Sequence, residues 1–93
     1  MITKKDIESM GFTKVDQVGC SQAFTAIKNN CEVFISYNTI IGMYDIDNRQ
    51  AVFTDKYYSV TTSRHRNKFI NNYDGIIDND RFNTLLLKYG LNP

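Results

Sequence analysis

The residues best able to do chemistry gather in one stretch, Thr61-Thr62-Ser63-Arg64-His65-Arg66-Asn67-Lys68, with Tyr57 and Tyr58 just upstream. Arg64, Arg66 and Lys68 put three cations within five residues, with no acid among them. On a helix turning about 100° per residue, Arg64 and Lys68 share the side opposite Phe69, Ile70 and Tyr73. Asn71 and Asn72 extend that outer side. Arg66 falls inside the apolar stripe, where it is expected to snorkel or to meet a carboxylate, and His65 falls at the rim. Hydroxyls and free backbone N–H groups at a helix start, with Arg and Lys one turn on, suit a phosphate or carboxylate. Thr62, Ser63, Arg64 and Lys68 are therefore the candidate phosphate-binding set. Tyr57, Tyr58, Arg64, His65 and Lys68 are the candidate partner-binding set, because Tyr and Arg are the usual anchors of protein interfaces. The plain alternative is a capped helix with a solvated charged face. Basic charge near a helix N-terminus opposes the dipole, so the arrangement carries a mild penalty.

Other chemistry finds less support. A Cys–His pair drawn from His65 with Cys20 or Cys31 lacks any context that lowers a thiol pKa. His65 with Ser63 or Thr62 lacks a nucleophile elbow. Asp45-x-Asp47-Asn48 has neither the glycine nor the distal glutamate of a calcium loop and reads as a hairpin turn. Asp74, Asp78 and Asp80 could line a magnesium site, but they read better as a turn acid and helix caps. Phosphate-loop, dinucleotide and zinc spacings are missing. The expectation is a non-enzymatic protein with no catalytic residue, metal or cofactor.

The elements that must position these residues follow from periodicity. Thr3 caps a short helix running to about Met10, with Ile2 and Ile7 as its hydrophobic staple and Gly11 at its end. Phe12 to Val18 is extended at best. Ser21 caps an expected second helix carrying Ala23, Phe24 and Ile27 and ending at Asn29-Asn30. Glu32–Tyr37, Thr39–Ile46 and Ala51–Thr54 read as strands of an antiparallel meander, with Asp47–Gln50 a turn. Tyr57–Val60 continues or finishes the sheet. Thr61, Thr62 or Ser63 caps the basic helix, which Asp74-Gly75 stops. Asp78 or Asp80 opens a last helix whose Phe82, Leu85, Leu86 and Tyr89 are spaced i, i+3, i+4, i+7. Gly90 and Leu91 fit a Schellman stop. The expected fold is α+β, a small antiparallel sheet of three to four strands with helices packed on one face.

Ninety-three residues make one domain, 1–93, that buries somewhat over about 60% of its unfolded surface. The chain is 42% hydrophobic with only one proline, which excludes a disordered or low-complexity class. Eleven Lys and Arg against ten Asp and Glu leave +1, unlike a strongly acidic nucleic-acid mimic or a histone-like binder. No apolar run approaches the roughly 20 residues of a membrane span, and the N-terminus lacks a signal peptide's apolar block. The expected location is the cytoplasm. Cys20 and Cys31 are expected to stay reduced, since a helix between them would hold their backbones about 16 Å apart, beyond the roughly 7 Å a disulfide tolerates.

Ile35-Ser36-Tyr37-Asn38-Thr39-Ile40-Ile41 followed by Tyr58-Ser59-Val60-Thr61-Thr62-Ser63-Arg64-His65 resembles a family of small phage proteins. Its pattern reads S-Y-x-T, a short hairpin, then Y-S-x-T-T-S-x-H, and the resemblance covers residues 31 to 73. Ser36, Tyr37, Thr39, Tyr58, Ser59, Thr61, Thr62, Ser63 and His65 match it. The resemblance implies a phage or prophage origin, hence the cytoplasm of a bacterial host, and supplies no reaction, cofactor or partner. Size, near-neutral charge and this resemblance point to an accessory protein that engages and inhibits a host protein or nucleoprotein, of anti-defence (for instance anti-CRISPR) type. The alternatives are a small nucleic-acid-binding module using residues 63–73 on phosphates, and a homo-oligomeric structural component pairing through an edge at Ala51 to Thr54.

Overall fold

Strands in the middle of this chain carry apolar residues on both faces, and the architecture follows from having to cover both. The computed structural model describes residues 1–93. In chain order the elements are α1 (Lys4–Ser9), β1 (Thr13–Gln17), β2 (Ala23–Lys28), β3 (Cys31–Ser36), β4 (Thr39–Asp45), β5 (Gln50–Phe53), α2 (Val60–Tyr73), β6 (Ile76–Ile77) and α3 (Asn79–Tyr89). They build one six-stranded mixed sheet in the order β1-β2-β3-β4-β5-β6. The first five strands form an antiparallel meander. The chain then crosses through α2 and returns as β6, parallel to β5.

The α+β class stands, but the sheet has six strands rather than three or four, and the helices lie on both faces rather than one. Cys31, Val33 and Ile35 of β3 join a fifteen-residue core with Ile7 of α1 and Phe82, Leu85 and Leu86 of α3. Phe34, between them in sequence, joins a six-residue core with Ala23, Ile41, Ala51, Phe53 and Phe69 of α2. Successive side chains of a strand point to opposite faces, so a strand apolar on both needs cover on both. β6 pairs with β5, so β5 is an interior strand, and the expected edge at Ala51 to Thr54 is covered.

The expected helix over Ala23–Lys28 is strand β2. Lys28 pairs with Cys31 across Asn29 and Asn30, whose φ values of 52° and 65° suit the two-residue hairpin turn that asparagine favours. The two asparagines are a turn between strands, not a helix stop. Ser21 belongs to the preceding turn, its hydroxyl donating to the Val18 carbonyl at 2.6 Å. Cys20 and Cys31 are nonetheless free thiols. What separates them is an extended strand rather than a helix, at about 3.3 Å per residue, so they stand farther apart than the helix argument required. Burial pushes the Cys31 thiol up to about 11, which keeps it protonated and inert.

Tyr57–Val60 does not extend the sheet; β5 ends at Phe53 and α2 begins at Val60. The α2 cap is Ser59, two residues before the first of the expected hydroxyls, its side chain accepting from the Thr62 N–H at 3.0 Å. Asp78, not Asp80, caps α3 by accepting from the Arg81 N–H. Thr3 and Asp6 form the capping box of α1, and Gly90 (φ 66°) closes α3 with Leu91 N–H bonded to the Leu86 carbonyl at 2.9 Å. No helix is long and apolar enough to cross a membrane.

Candidate functional site

The end of β3 and the start of α2 meet at a buried polar cluster built from both halves of the sequence pattern. Ser36 is the last residue of β3 and faces α2. Its hydroxyl lies 2.9 Å from Thr62 Oγ1 and 2.7 Å from His65 Nδ1. The three are 1%, 8% and 7% exposed. Ser59 holds the Thr62 backbone while Ser36 holds its side chain, so the first turn of α2 is fixed at two levels. Burial, helped by the charge of nearby Lys68, holds the His65 pKa below its ordinary 6.5. At neutral pH the ring is therefore uncharged.

Tyr37 lies against this cluster, its ring centroid 5.8 Å from that of His65. It occupies the two-residue turn between Ser36 and Thr39, with φ at 57°. Glycine usually fills such a position, and a bulky side chain there costs about 1–2 kcal/mol. The Tyr37 N–H donates to the Gln22 carbonyl at 2.7 Å. A strained tyrosine kept half-exposed beside the cluster is a functional candidate that spacing did not single out.

Ser36 and His65 have the separation of a nucleophile and its base, but the geometry serves fastening. Ser36 is enclosed, its hydroxyl is shared with Thr62, and no carboxylate orients the imidazole. Nowhere do three His, Cys, Asp or Glu side chains converge. Asp45 and Asp47, the residues with a calcium-loop spacing, are engaged by α3: Arg81 reaches Asp45 at 2.8 Å and Lys88 reaches Asp47 at 2.9 Å. Arg81 and Asn48 together hold the Asp45 carboxyl down at about 2.

What faces water is the outer ridge of α2 and the loop before it. Arg64 and Lys68 are exposed, and neither takes part in the chain's two ion pairs. Tyr57 is 67% exposed, and Tyr58, at 37%, carries the Lys56 ammonium 4.9 Å above its ring. Arg66 turns back from the ridge. It donates to the Thr54 carbonyl at 3.0 Å and more weakly to that of Lys56 at 3.5 Å, and so ties the loop to α2 through main-chain carbonyls, not a carboxylate. Of the partner-binding set, Tyr57, Tyr58, Arg64 and Lys68 are thus on the surface. His65 is withdrawn from the rim into the interior. Of the phosphate-binding set, Thr62 is withdrawn too and Ser63 is half-buried, because the Ser36 hydroxyl draws that side of α2 onto the sheet.

Fold and site define a small α+β protein: a mixed sheet with helices on both faces, presenting an exposed basic ridge on α2. The chain belongs to DUF8033, a family of unknown function, whose model matches residues 6–83. That stretch takes in all six strands, α2, and every residue of the buried cluster. No curated protein and no solved structure matches the chain.

Proposed function

We propose that the protein is a non-enzymatic binding module that acts by occupying an acidic surface on another protein or nucleoprotein. The observation that carries this reading is the Arg64–Lys68 ridge: two exposed cations one turn apart, without a carboxylate partner, on a fourteen-residue helix that contains no acid. Lys56 adds a third cation, and Tyr37, Tyr57 and Tyr58 supply the amphipathic rings that anchor interfaces. The similarity to small phage proteins adds the setting, a bacterial host protein inhibited by being covered, as anti-defence proteins act. A free phosphate site on α2 is less well supported, since Thr62 is committed to Ser36 and its N–H to Ser59.

The test pairs the native protein with the Arg64→Glu/Lys68→Glu variant on affinity resin, against nuclease-treated and untreated host lysate. A protein retained by the first, lost from the second and indifferent to nuclease supports the reading. A signal that vanishes with nuclease transfers the ridge to nucleic acid, and its affinity should then fall steadily with salt. Equal recovery on both resins overturns the reading.

A further inference from the structure

His65 is withdrawn from the surface, yet only one of its two ring nitrogens is used inside. Nδ1 meets the Ser36 hydroxyl at 2.7 Å, while Nε2 has no hydrogen-bond partner in the chain. The one fully buried side-chain polar atom without a partner is Arg66 Nε, so Nε2 of His65 still reaches water. A ring only 7% exposed thus keeps a nitrogen at the surface. Whether that nitrogen donates or accepts is set by the hydroxyls behind it. Thr62 Oγ1, Ser36 Oγ and His65 Nδ1 stand in a row, spaced 2.9 and 2.7 Å, and Ser36 is the only partner of the Thr62 hydroxyl. The enclosed Thr62 hydroxyl therefore donates to Ser36, and Ser36 in turn donates to Nδ1. The opposite order would strand the Thr62 hydrogen in the interior without an acceptor, which folded chains avoid.

With Nδ1 accepting, the ring proton of the neutral imidazole sits on Nε2. The relay thus presents a fixed N–H donor at the surface, and Tyr37 packs beside it with ring centroids 5.8 Å apart. Lys68 follows three residues later on α2, a spacing that makes the two side chains neighbours. It is exposed and has no carboxylate partner in the chain. One N–H and one ammonium side by side match the two oxygens of a carboxylate. A phosphate would call for further donors, and the nearest ones, the Thr62 hydroxyl and N–H, are committed to Ser36 and Ser59.

We propose that His65 Nε2–H and the Lys68 ammonium together seat one carboxylate of an acidic side chain on the partner protein. The proposal rests on the ridge reading and gives it a fixed point: Arg64 supplies charge alone, whereas the His65–Lys68 pair takes one particular carboxylate. The experiment uses the ¹⁵N-labelled full chain at neutral pH. Multiple-bond proton–nitrogen correlations of the imidazole should show Nε2 protonated and Nδ1 bare. Acetate, the carboxylate probe, is then titrated against chloride at constant ionic strength. His65 Nε2 and the Lys68 main-chain amide should move on one saturable curve, and Lys68→Ala should weaken binding about threefold, the scale of an exposed ion pair. His65→Gln, whose amide nitrogen reaches as far as Nε2, should keep the response at Lys68. His65→Asn, which reaches only to the position of Nδ1, should lose it. A proton on Nδ1, no saturable shift at His65, or saturation by inorganic phosphate and not by acetate would overturn the proposal. None of these readings needs the partner, so the proposal can fail while the ridge, tested by charge reversal on the resin, still stands.

Discussion

The two faces of the sheet solve the same covering problem with different materials. On the α1/α3 face fifteen buried residues interlock, and the polar contacts sit at the margin, where Arg81 and Lys88 clamp the β4–β5 turn. On the α2 face only six buried residues do the packing, and the helix start is fastened by hydroxyls and an imidazole. Apolar packing tolerates shifts of a few tenths of an ångström and is non-directional. Hydrogen bonds at 2.7–2.9 Å fix rotation and register. The first face supplies most of the stability; the second sets which side of α2 looks outward, and so the positions of Arg64 and Lys68.

Substitutions can break or sharpen this contrast. The largest loss is expected from Phe24→Ala, which empties a fully buried site in the larger core and should cost about 3–5 kcal/mol in denaturant unfolding. Gly42→Ala attacks the smaller core by crowding. Its Cβ would stand 2.4 Å from the Phe53 ring, which Gly75 confines from the other side, and the expected cost is about 1–3 kcal/mol. Ser36→Ala leaves His65 Nδ1 and Thr62 Oγ1 without their partner and should cost about 1–3 kcal/mol. Hydrogen exchange should show that loss concentrated in the first turns of α2, with α3 protected as before; equal loss in both helices would dissolve the contrast.

Acid should separate the faces as well. The folded pKa of His65 lies below 6.5, so the unfolded chain binds more protons in the window just below that value. The stability owed to neutral His65 is then complete above about pH 6.5 and declines as the pH drops toward the folded pKa. His65→Gln should flatten that decline in a series of unfolding curves. Asp45, held at about 2 against its ordinary 3.8, contributes stability that is present above 3.8 and is lost as pH falls through about 2. Arg81→Ala should shrink that second decline, Asn48 still bonding the carboxylate, and leave the first. The smallest stability change is expected at Tyr37. Replacement by Gly relieves the positive φ and gives up the ring contact with His65, so thermal unfolding should shift little in either direction while partner binding weakens.

Much of this was legible in the chain, and the misses in the sheet and its cover have one cause. β3, β4 and α3 follow from apolar runs and from i, i+3, i+4 spacing that only one structure satisfies. β2 does not, because Ala23, Phe24 and Ala26 are buried on two faces; a strand covered twice loses its alternation and imitates a short helix. The Asn29-Asn30 turn was the corrective signal. The same double cover hid α2's placement opposite α1 and α3. Within the site, spacing put Arg64 and Lys68 correctly on the outer ridge. It left His65 at the rim, because helical geometry knows nothing of a hydroxyl at the end of a distant strand. Tyr37 was visible as part of the Ser36-Tyr37 pattern, but its strained backbone and its ring on His65 depend on the hairpin closing.

The most direct test is affinity capture with charge reversal at two places of similar exposure. Arg64→Glu/Lys68→Glu reverses the α2 ridge, and Lys4→Glu/Lys5→Glu reverses the first turn of α1, where acidic side chains suit the helix dipole. Both variants should unfold within about 0.5 kcal/mol of the native protein, since none of these side chains is paired. The account predicts that a nuclease-resistant partner stays with the α1 variant and is lost from the α2 variant. A partner that leaves with the α1 change, or ignores both, would contradict it.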